Sequence, residues 1–138
     1  MAERPVRTNF DDLTRADLIF LAMNLASVSR IRDACVKAIE ERRKRFPVHI
    51  VNGRSDAFQH CYWAALLTRD VGMNQAKGFT DAHEKWPGNP PEDKAMDLYN
   101  NARGIAIGVM HGPRATDQEL ADACERALRQ GRLKVLKP

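Results

Sequence analysis

The chain has 138 residues, of which 43% are hydrophobic and 29% are charged, and its formal net charge is +4. The length suits one compact domain spanning residues 1–138, and the composition is typical of a soluble globular protein. The longest apolar run, from Leu18 to Leu25 and broken by Asn24, is too short to cross a bilayer, so a transmembrane segment is excluded.

The polar, charged N-terminal segment MAERPVRTNFDD predicts synthesis in the cytoplasm without a conventional signal peptide. A short basic effector can nevertheless be exported without one. Cys35, Cys61 and Cys124 lie on apolar stretches without metal-type spacing, which indicates small buried side chains in a reducing compartment. Basic residues end two predicted helices, at 42–45 and 129–137, where cations complement the helix dipole. Attraction to lipid head groups or nucleic acid is the alternative interpretation of these runs.

Helical patterns follow one another along the chain and predict an all-α fold, a single-domain bundle of five to six helices. Thr14 and Asp17 form a variant capping box for a first helix that reaches about Asn24, and a second helix is predicted over about 27–45. The third helix, about 55–69 with Ser55 as its N-cap, is apolar nearly all round. A helix of this kind belongs in the centre of a domain.

The second half of the chain continues the helical pattern. A fourth helix is predicted over about 74–85 and a fifth over 91–110, which begins with a proline suited to a first helical turn. Thr116 and Glu119 form a capping box for a sixth helix that reaches about residue 130. Residues 132–138 are expected to form an extended tail, either a short strand or an arm.

The third helix carries two polar residues on one face, because Asp56 and His60 are four residues apart. An Asp one turn before a His orients the imidazole and raises its basicity, as happens for metal ligands and catalytic bases. The alternative is that Asp56 serves the helix dipole and His60 is a satisfied core residue.

The fifth helix places Asp97, Asn101, Gly104 and Gly108 along one stripe, with Asn100 at its edge. A glycine inside a helix costs about 1 kcal/mol relative to alanine, so these glycines need a reason. That reason is the close approach of another backbone or of a ligand. Polar residues on such a stripe favour the wall of a site. The alternative is a tight helix crossing with a buried structural network.

The fourth helix leaves its inward face undecided. Asp81 and Glu84 share one face, whereas His83 points away alongside Phe79. The acidic pair and His83 can enter the same site only if the end of the helix is distorted near Trp86.

The polar residues of these helices suit two kinds of chemistry. Imidazole and carboxylate groups fit zinc, and carboxylates with amide carbonyls fit calcium or magnesium. Without a metal, His60 is a general base oriented by Asp56, with Glu84 or Asp81 as a second acid. No nucleophile elbow, P-loop or dinucleotide fingerprint is present.

The same block resembles an uncharacterised bacterial domain with several short motifs. They correspond here to Asp56–His60 (DAFQH), Tyr62-Trp63, Leu67–Arg69 (LTR), Asp81–Glu84 (DAHE) and Met96–Asn101 (MDLYNN). Members of that group occur as stand-alone proteins and at the ends of large secreted or toxin-like polypeptides. The resemblance implies an effector or toxin-type hydrolase. This chain departs from the pattern at Gln59, where Arg is expected, and at Tyr99, where His is expected.

Two hypotheses follow. The first is a hydrolase of effector or toxin type, metal-assisted, acting on lipid, cell wall or nucleic acid. Its metal ligands are His60, Glu84 and Asp97. Its other candidate residues are Asp56, His60, Asp81, His83 and Glu84 for catalysis, and Asn100, Asn101, Arg103 and Gly104 for substrate binding. The second is a non-catalytic interaction or inhibitor module with a protein partner, in which the polar set is structural.

Overall fold

Six α-helices make up most of the structure, a computed structural model that describes residues 13–138. They are α1 (Arg15–Met23), α2 (Val28–Arg45), α3 (Arg54–Val71), α4 (Met73–His83), α5 (Pro91–His111) and α6 (Asp117–Arg129). A short 3-10 turn, Leu25–Ser27, separates α1 from α2, and no strand occurs within the described range. The predicted all-α bundle of five to six helices is confirmed for these residues.

Local capping signals fix where α1 and α6 begin. Thr14 Oγ1 accepts a hydrogen bond from the backbone N–H of Asp17 at 2.9 Å, and Asp17 Oδ2 accepts one from the backbone N–H of Thr14 at 2.8 Å. Thr116 and Glu119 form the same reciprocal pair at the start of α6. Because a capping box uses only residues within one helical turn, it can be recognised in the sequence, and both predictions are confirmed.

The start of α3 differs from the prediction. The helix begins at Arg54 with Gly53 as its N-cap, and Ser55 lies inside it. The Ser55 hydroxyl accepts a hydrogen bond from the backbone N–H of Ile50 at 3.0 Å. The prediction of Ser55 as the N-cap is wrong, because its side chain stabilises the preceding loop instead of the first turn of the helix.

Helix α3 lies at the centre of the bundle, as its composition predicts. All residues from Ser55 to Thr68 are buried, and the helix packs against α2, α4, α5 and α6. Its most extensive contact is with α5. A helix without a polar face must be covered on every side, so this position follows from the sequence pattern. Between residues 13 and 138, no helix is both long enough and apolar enough to cross a membrane.

Two glycines allow α5 to approach α3 closely. A Cβ atom on Gly104 would overlap the backbone carbonyl of Cys61 and lie 2.8 Å from the Cβ of Ala64. A Cβ on Gly108 would lie 2.7 Å from the Cβ of Thr68. The close approach of another backbone therefore explains these glycines, and this was one of the two reasons predicted from the sequence, the other being the approach of a ligand.

Residues 132–138 form an arm without helix that is held from two sides. The side chain of Asn100 donates to the backbone carbonyl of Lys134 at 2.9 Å and accepts from its N–H at 2.8 Å. The backbone carbonyl of Asn52 accepts from the N–H groups of Leu136 and Lys137 at 3.0 and 2.9 Å. The arm thus connects α5 to the loop that precedes α3.

Candidate functional site

Three helices bring four ionisable side chains together inside the bundle. Asp56 and His60 lie one turn apart on α3, Asp97 lies on α5, and Glu84 directly follows α4. All four are buried, with exposed fractions that range from 0% for Asp97 to 7% for His60. They meet because α3 packs against both α4 and α5, so residues on the inner stripe of each helix face one another.

The Nε2 atom of His60 faces two carboxylates at equal distances. It lies 3.4 Å from Oδ1 of Asp56 and 3.4 Å from Oδ1 of Asp97. A charge-assisted N–H···O hydrogen bond spans about 2.7–2.9 Å, so both separations are long for such bonds. One potential ligand atom from each residue lies within 4.8 Å of the other two, an arrangement that could hold a metal ion.

The other ring nitrogen of His60 contacts an amide and a third carboxylate. Nδ1 lies 3.1 Å from Oδ1 of Asn101 and 3.9 Å from Oε1 of Glu84. Because an amide oxygen can only accept, Nδ1 carries the proton in this contact. The Glu84 Oε1 atom is buried and has no hydrogen-bond partner among the described residues. Asn101 thus orients the imidazole so that its Nε2 atom faces the two carboxylates.

Among residues 13–138, the cluster contains more acidic than basic groups. Burial by itself would lower the pKa of His60, but the charges of Asp97, Asp56 and Glu84 raise that pKa to about 10. Three carboxylates then face one imidazolium. Arg42 of α2 is close enough for its charge to interact with that of Asp56. A divalent cation would suit this set of carboxylate and imidazole donors, and it would take the place of the proton on Nε2 of His60.

The C-terminal end of α4 separates residues that are adjacent in the sequence. The helix ends at His83, and Glu84 is its C-cap. Glu84 faces His60, whereas Nδ1 of His83 lies 2.8 Å from Oδ2 of Asp17 on α1. Asp81 is partly exposed and pairs with the lysine one turn earlier at 2.6 Å. Of the predicted catalytic residues, Asp81 and His83 therefore lie outside the cluster.

The four predicted substrate-binding residues have different surroundings. Asn101 contacts the cluster through His60, whereas Asn100 binds the C-terminal arm. Gly104 packs against the backbone of α3. Arg103 is exposed, and its guanidinium lies 5.5 Å from the centre of the Tyr99 ring. The structure thus connects one of the four to the ionisable cluster.

Two features of the cluster were not anticipated. The spacing of Asp56 and His60 predicted that Asp56 orients the imidazole, but the Asp56 carboxylate is as close to Nε2 as that of Asp97. The backbone N–H of Asn52 also donates to Oδ2 of Asp56 at 2.8 Å. Asn52 has a φ of 63°, a conformation that asparagine adopts more readily than most residues. An Asn-Gly pair is typical of a turn, but it does not indicate that the turn supports a carboxylate.

The segment that carries the cluster is similar to a known protein family. The model of a family described as Domain of unknown function (DUF6973) matches residues 18–132. The chain belongs to this family. The expected resemblance to an uncharacterised domain family is therefore confirmed at that level, and no solved structure matches the chain. The segment matched to DUF6973 contains the four ionisable residues of the cluster and Asn101.

Proposed function

We propose that this domain is a metal-assisted hydrolase in which Asp56, His60 and Asp97 hold a divalent ion. The observation that carries the proposal is the pair of 3.4 Å separations between Nε2 of His60 and the two carboxylate oxygens. Ligands 2.0–2.1 Å from a tetrahedral ion lie about 3.4 Å from one another, so these separations fit a zinc-type site.

Three protein ligands also agree with a catalytic rather than a purely structural ion. Structural zinc sites use four protein ligands, whereas catalytic sites use three and leave one position for water or substrate. An ion held by these three residues would activate water as a nucleophile at neutral pH. The side chain of Asn101 orients His60 through Nδ1, and the Oε1 atom of Glu84 lies 3.9 Å from the same nitrogen.

The choice of zinc over calcium or magnesium follows from the donor set. A histidine nitrogen is a good zinc ligand, whereas calcium and magnesium prefer oxygen ligands and higher coordination numbers. The resemblance to domains at the ends of toxin-like polypeptides supports an effector or toxin role. Export without a signal peptide and a substrate among lipid, cell wall and nucleic acid are parts of the same proposal.

The hydrolase is tested by treating the protein with EDTA, reloading it with zinc, and assaying phospholipid vesicles, peptidoglycan and nucleic acid. We expect hydrolysis of one substrate class only when the metal is present. Asp97→Asn should reduce that activity by at least about 100-fold, because it weakens a ligand of the ion. Asp81→Asn is the matched control, since Asp81 lies outside the cluster. Equal activity of Asp97→Asn and the wild type, or no hydrolysis of any substrate, would contradict the proposal.

The burial of the cluster favours a second candidate, a non-catalytic interaction or inhibitor module with a structural polar network. Asp97 is 0% exposed and Glu84 1% exposed, as expected for side chains that stabilise a core. In that case, the protein binds a partner protein without catalysis. Asp97→Asn would then lower the melting temperature while leaving metal content and partner binding unchanged.

A further inference from the structure

A cleft of about 560 Å³ lies between α4 and α5, separate from the two carboxylates that face Nε2 of His60. Its walls include Met73, Leu98, Ala102 and Ile105, which are apolar, and Asn101 also lines it. Leu98, Ala102 and Ile105 follow a helical spacing of four and three residues, so they form one apolar stripe along α5. The stripe gives the cleft a continuous apolar wall.

Basic side chains line the same cleft toward one end. Lys85 lies in the loop that joins α4 to α5, and Lys94 is in the first turns of α5. Met73 and Ile105 come from the opposite ends of the two helices, so the cleft is basic near the loop and apolar away from it. Lys77 also lines the cleft but is paired with Asp81 at 2.6 Å. Lys85 and Lys94 therefore supply its excess positive charge.

Asn101 connects this cleft to the ionisable cluster. Its Oδ1 atom contacts Nδ1 of His60 at 3.1 Å, while its Nδ2 atom is buried and has no hydrogen-bond partner among the described residues. A buried amide donor without a partner is costly, and such an exception in a folded protein calls for an explanation. The same side chain thus lines the cleft and holds the imidazole.

We propose that the α4–α5 cleft binds a single-chain anionic amphiphile, with its acidic head near Lys85 and Lys94 and its hydrocarbon chain along the apolar stripe. Charge complementarity at the basic end and burial of methylene groups at the other favour this occupant over a free inorganic anion or a neutral lipid. As an assignment of substrate class, the inference rests on the proposed function and selects lipid over cell wall and nucleic acid.

The binding test uses monododecyl phosphate below its critical micelle concentration, measured by calorimetry with EDTA present. We expect saturable binding of one molecule per chain. Monooctyl phosphate should bind at least about tenfold more weakly, because it buries fewer methylene groups. Dodecyl maltoside, which lacks the charge, and inorganic phosphate, which lacks the chain, should both bind more weakly than dodecyl phosphate. Equal affinity for either of these two comparison probes would overturn the proposal.

Two variants locate the binding site. Ala102 is exposed and lines the cleft, so Ala102→Trp should fill the cleft and reduce affinity at least about tenfold. Ala106→Trp is the matched control, since Ala106 is exposed on the same helix and is not part of the lining. The double variant Lys85→Glu/Lys94→Glu changes only exposed positions and should weaken dodecyl phosphate more than dodecyl maltoside. Wild-type binding by a folded Ala102→Trp or by the double variant would contradict the assignment.

The two proposals fail in different ways. Because the binding assay contains EDTA, an absent metal site leaves its result unchanged. Retained amphiphile binding without zinc-dependent hydrolysis would remove the hydrolase and keep the cleft. Hydrolysis of peptidoglycan or nucleic acid, without amphiphile binding, would remove the cleft assignment and keep the hydrolase.

Discussion

The side-chain oxygen of Asn101 accepts a hydrogen bond from Nδ1 of His60 across 3.1 Å, which joins α5 to the imidazole on α3. The contact fixes the ring so that Nε2 faces Asp56 and Asp97. It also places an amide that lines the α4–α5 cleft next to the residue that we propose as a metal ligand.

Replacing Asn101 should weaken metal binding without removing a ligand. Asn101→Leu leaves Nδ1–H of His60 without this acceptor, and loss of such a supporting hydrogen bond reduces metal affinity by about 10- to 100-fold. The measurement is a competition titration of zinc against a chelator. Asn100→Leu is the control, because Asn100 binds the C-terminal arm rather than His60. Unchanged zinc affinity in Asn101→Leu would show that the contact does not support the site.

The crossing of α3 and α5 should tolerate an added methyl group poorly at both of its glycines, and least at Gly104. Gly104→Ala introduces a Cβ against the Cys61 backbone carbonyl, which cannot rotate away, and we expect a loss of about 3 kcal/mol in unfolding free energy. Gly108→Ala should cost less, because its Cβ would lie 2.7 Å from the Cβ of Thr68 and 2.9 Å from the carbonyl oxygen of Ala65, a smaller overlap than at Gly104. Urea denaturation of both variants tests this order. The opposite order would contradict the close backbone approach.

The loop before α3 provides a second stability test. Asn52 has a φ of 63°, and a non-glycine residue there carries a strain of about 1–2 kcal/mol that asparagine partly avoids. Asn52→Gly and Asn52→Ala both keep the N–H that donates to Asp56 and both remove the side chain. Chemical denaturation should therefore find the alanine variant less stable by about 1 kcal/mol. Equal stability would indicate that the loop does not adopt this conformation.

The contact between α3 and α6 should make stability sensitive to acid. Burial by itself would raise the pKa of Asp117, but hydrogen bonds from Arg69 and Lys37 lower it below 3.8. A lowered folded-state pKa stabilises the protein above the unfolded value, and this contribution is lost as the pH falls through the folded value. Denaturation between about pH 6 and pH 3 should show a shallower loss of stability for Asp117→Asn than for the wild type. Parallel pH profiles would contradict this role.

The elements that could be predicted from the sequence are those fixed by neighbouring residues. The Thr14 and Thr116 capping boxes act within one turn, and the apolar surface of α3 requires a central position whatever its neighbours are. The glycines of α5 indicated a close approach, because their cost to the helix needed compensation.

The arrangement of the site depended on contacts between distant segments. Whether His83 or Glu84 faces His60 depends on α4 ending between them, and His83 instead pairs with Asp17, 66 residues earlier. Asn100 and Asn101 are adjacent on α5, yet one binds the arm and the other binds His60. Such partners are set by tertiary packing, so a helical pattern alone does not distinguish them.

Cobalt titration of the EDTA-treated protein tests the metal site most directly, because tetrahedral cobalt has strong visible absorption. We expect one ion per chain with a tetrahedral spectrum, displaced by zinc, and loss of that spectrum in His60→Ala and Asp97→Asn. His83→Ala and Asp81→Asn should bind cobalt like the wild type, since both residues lie outside the cluster. No saturable binding by the wild type, or an unchanged spectrum in a folded His60→Ala protein, would contradict the account.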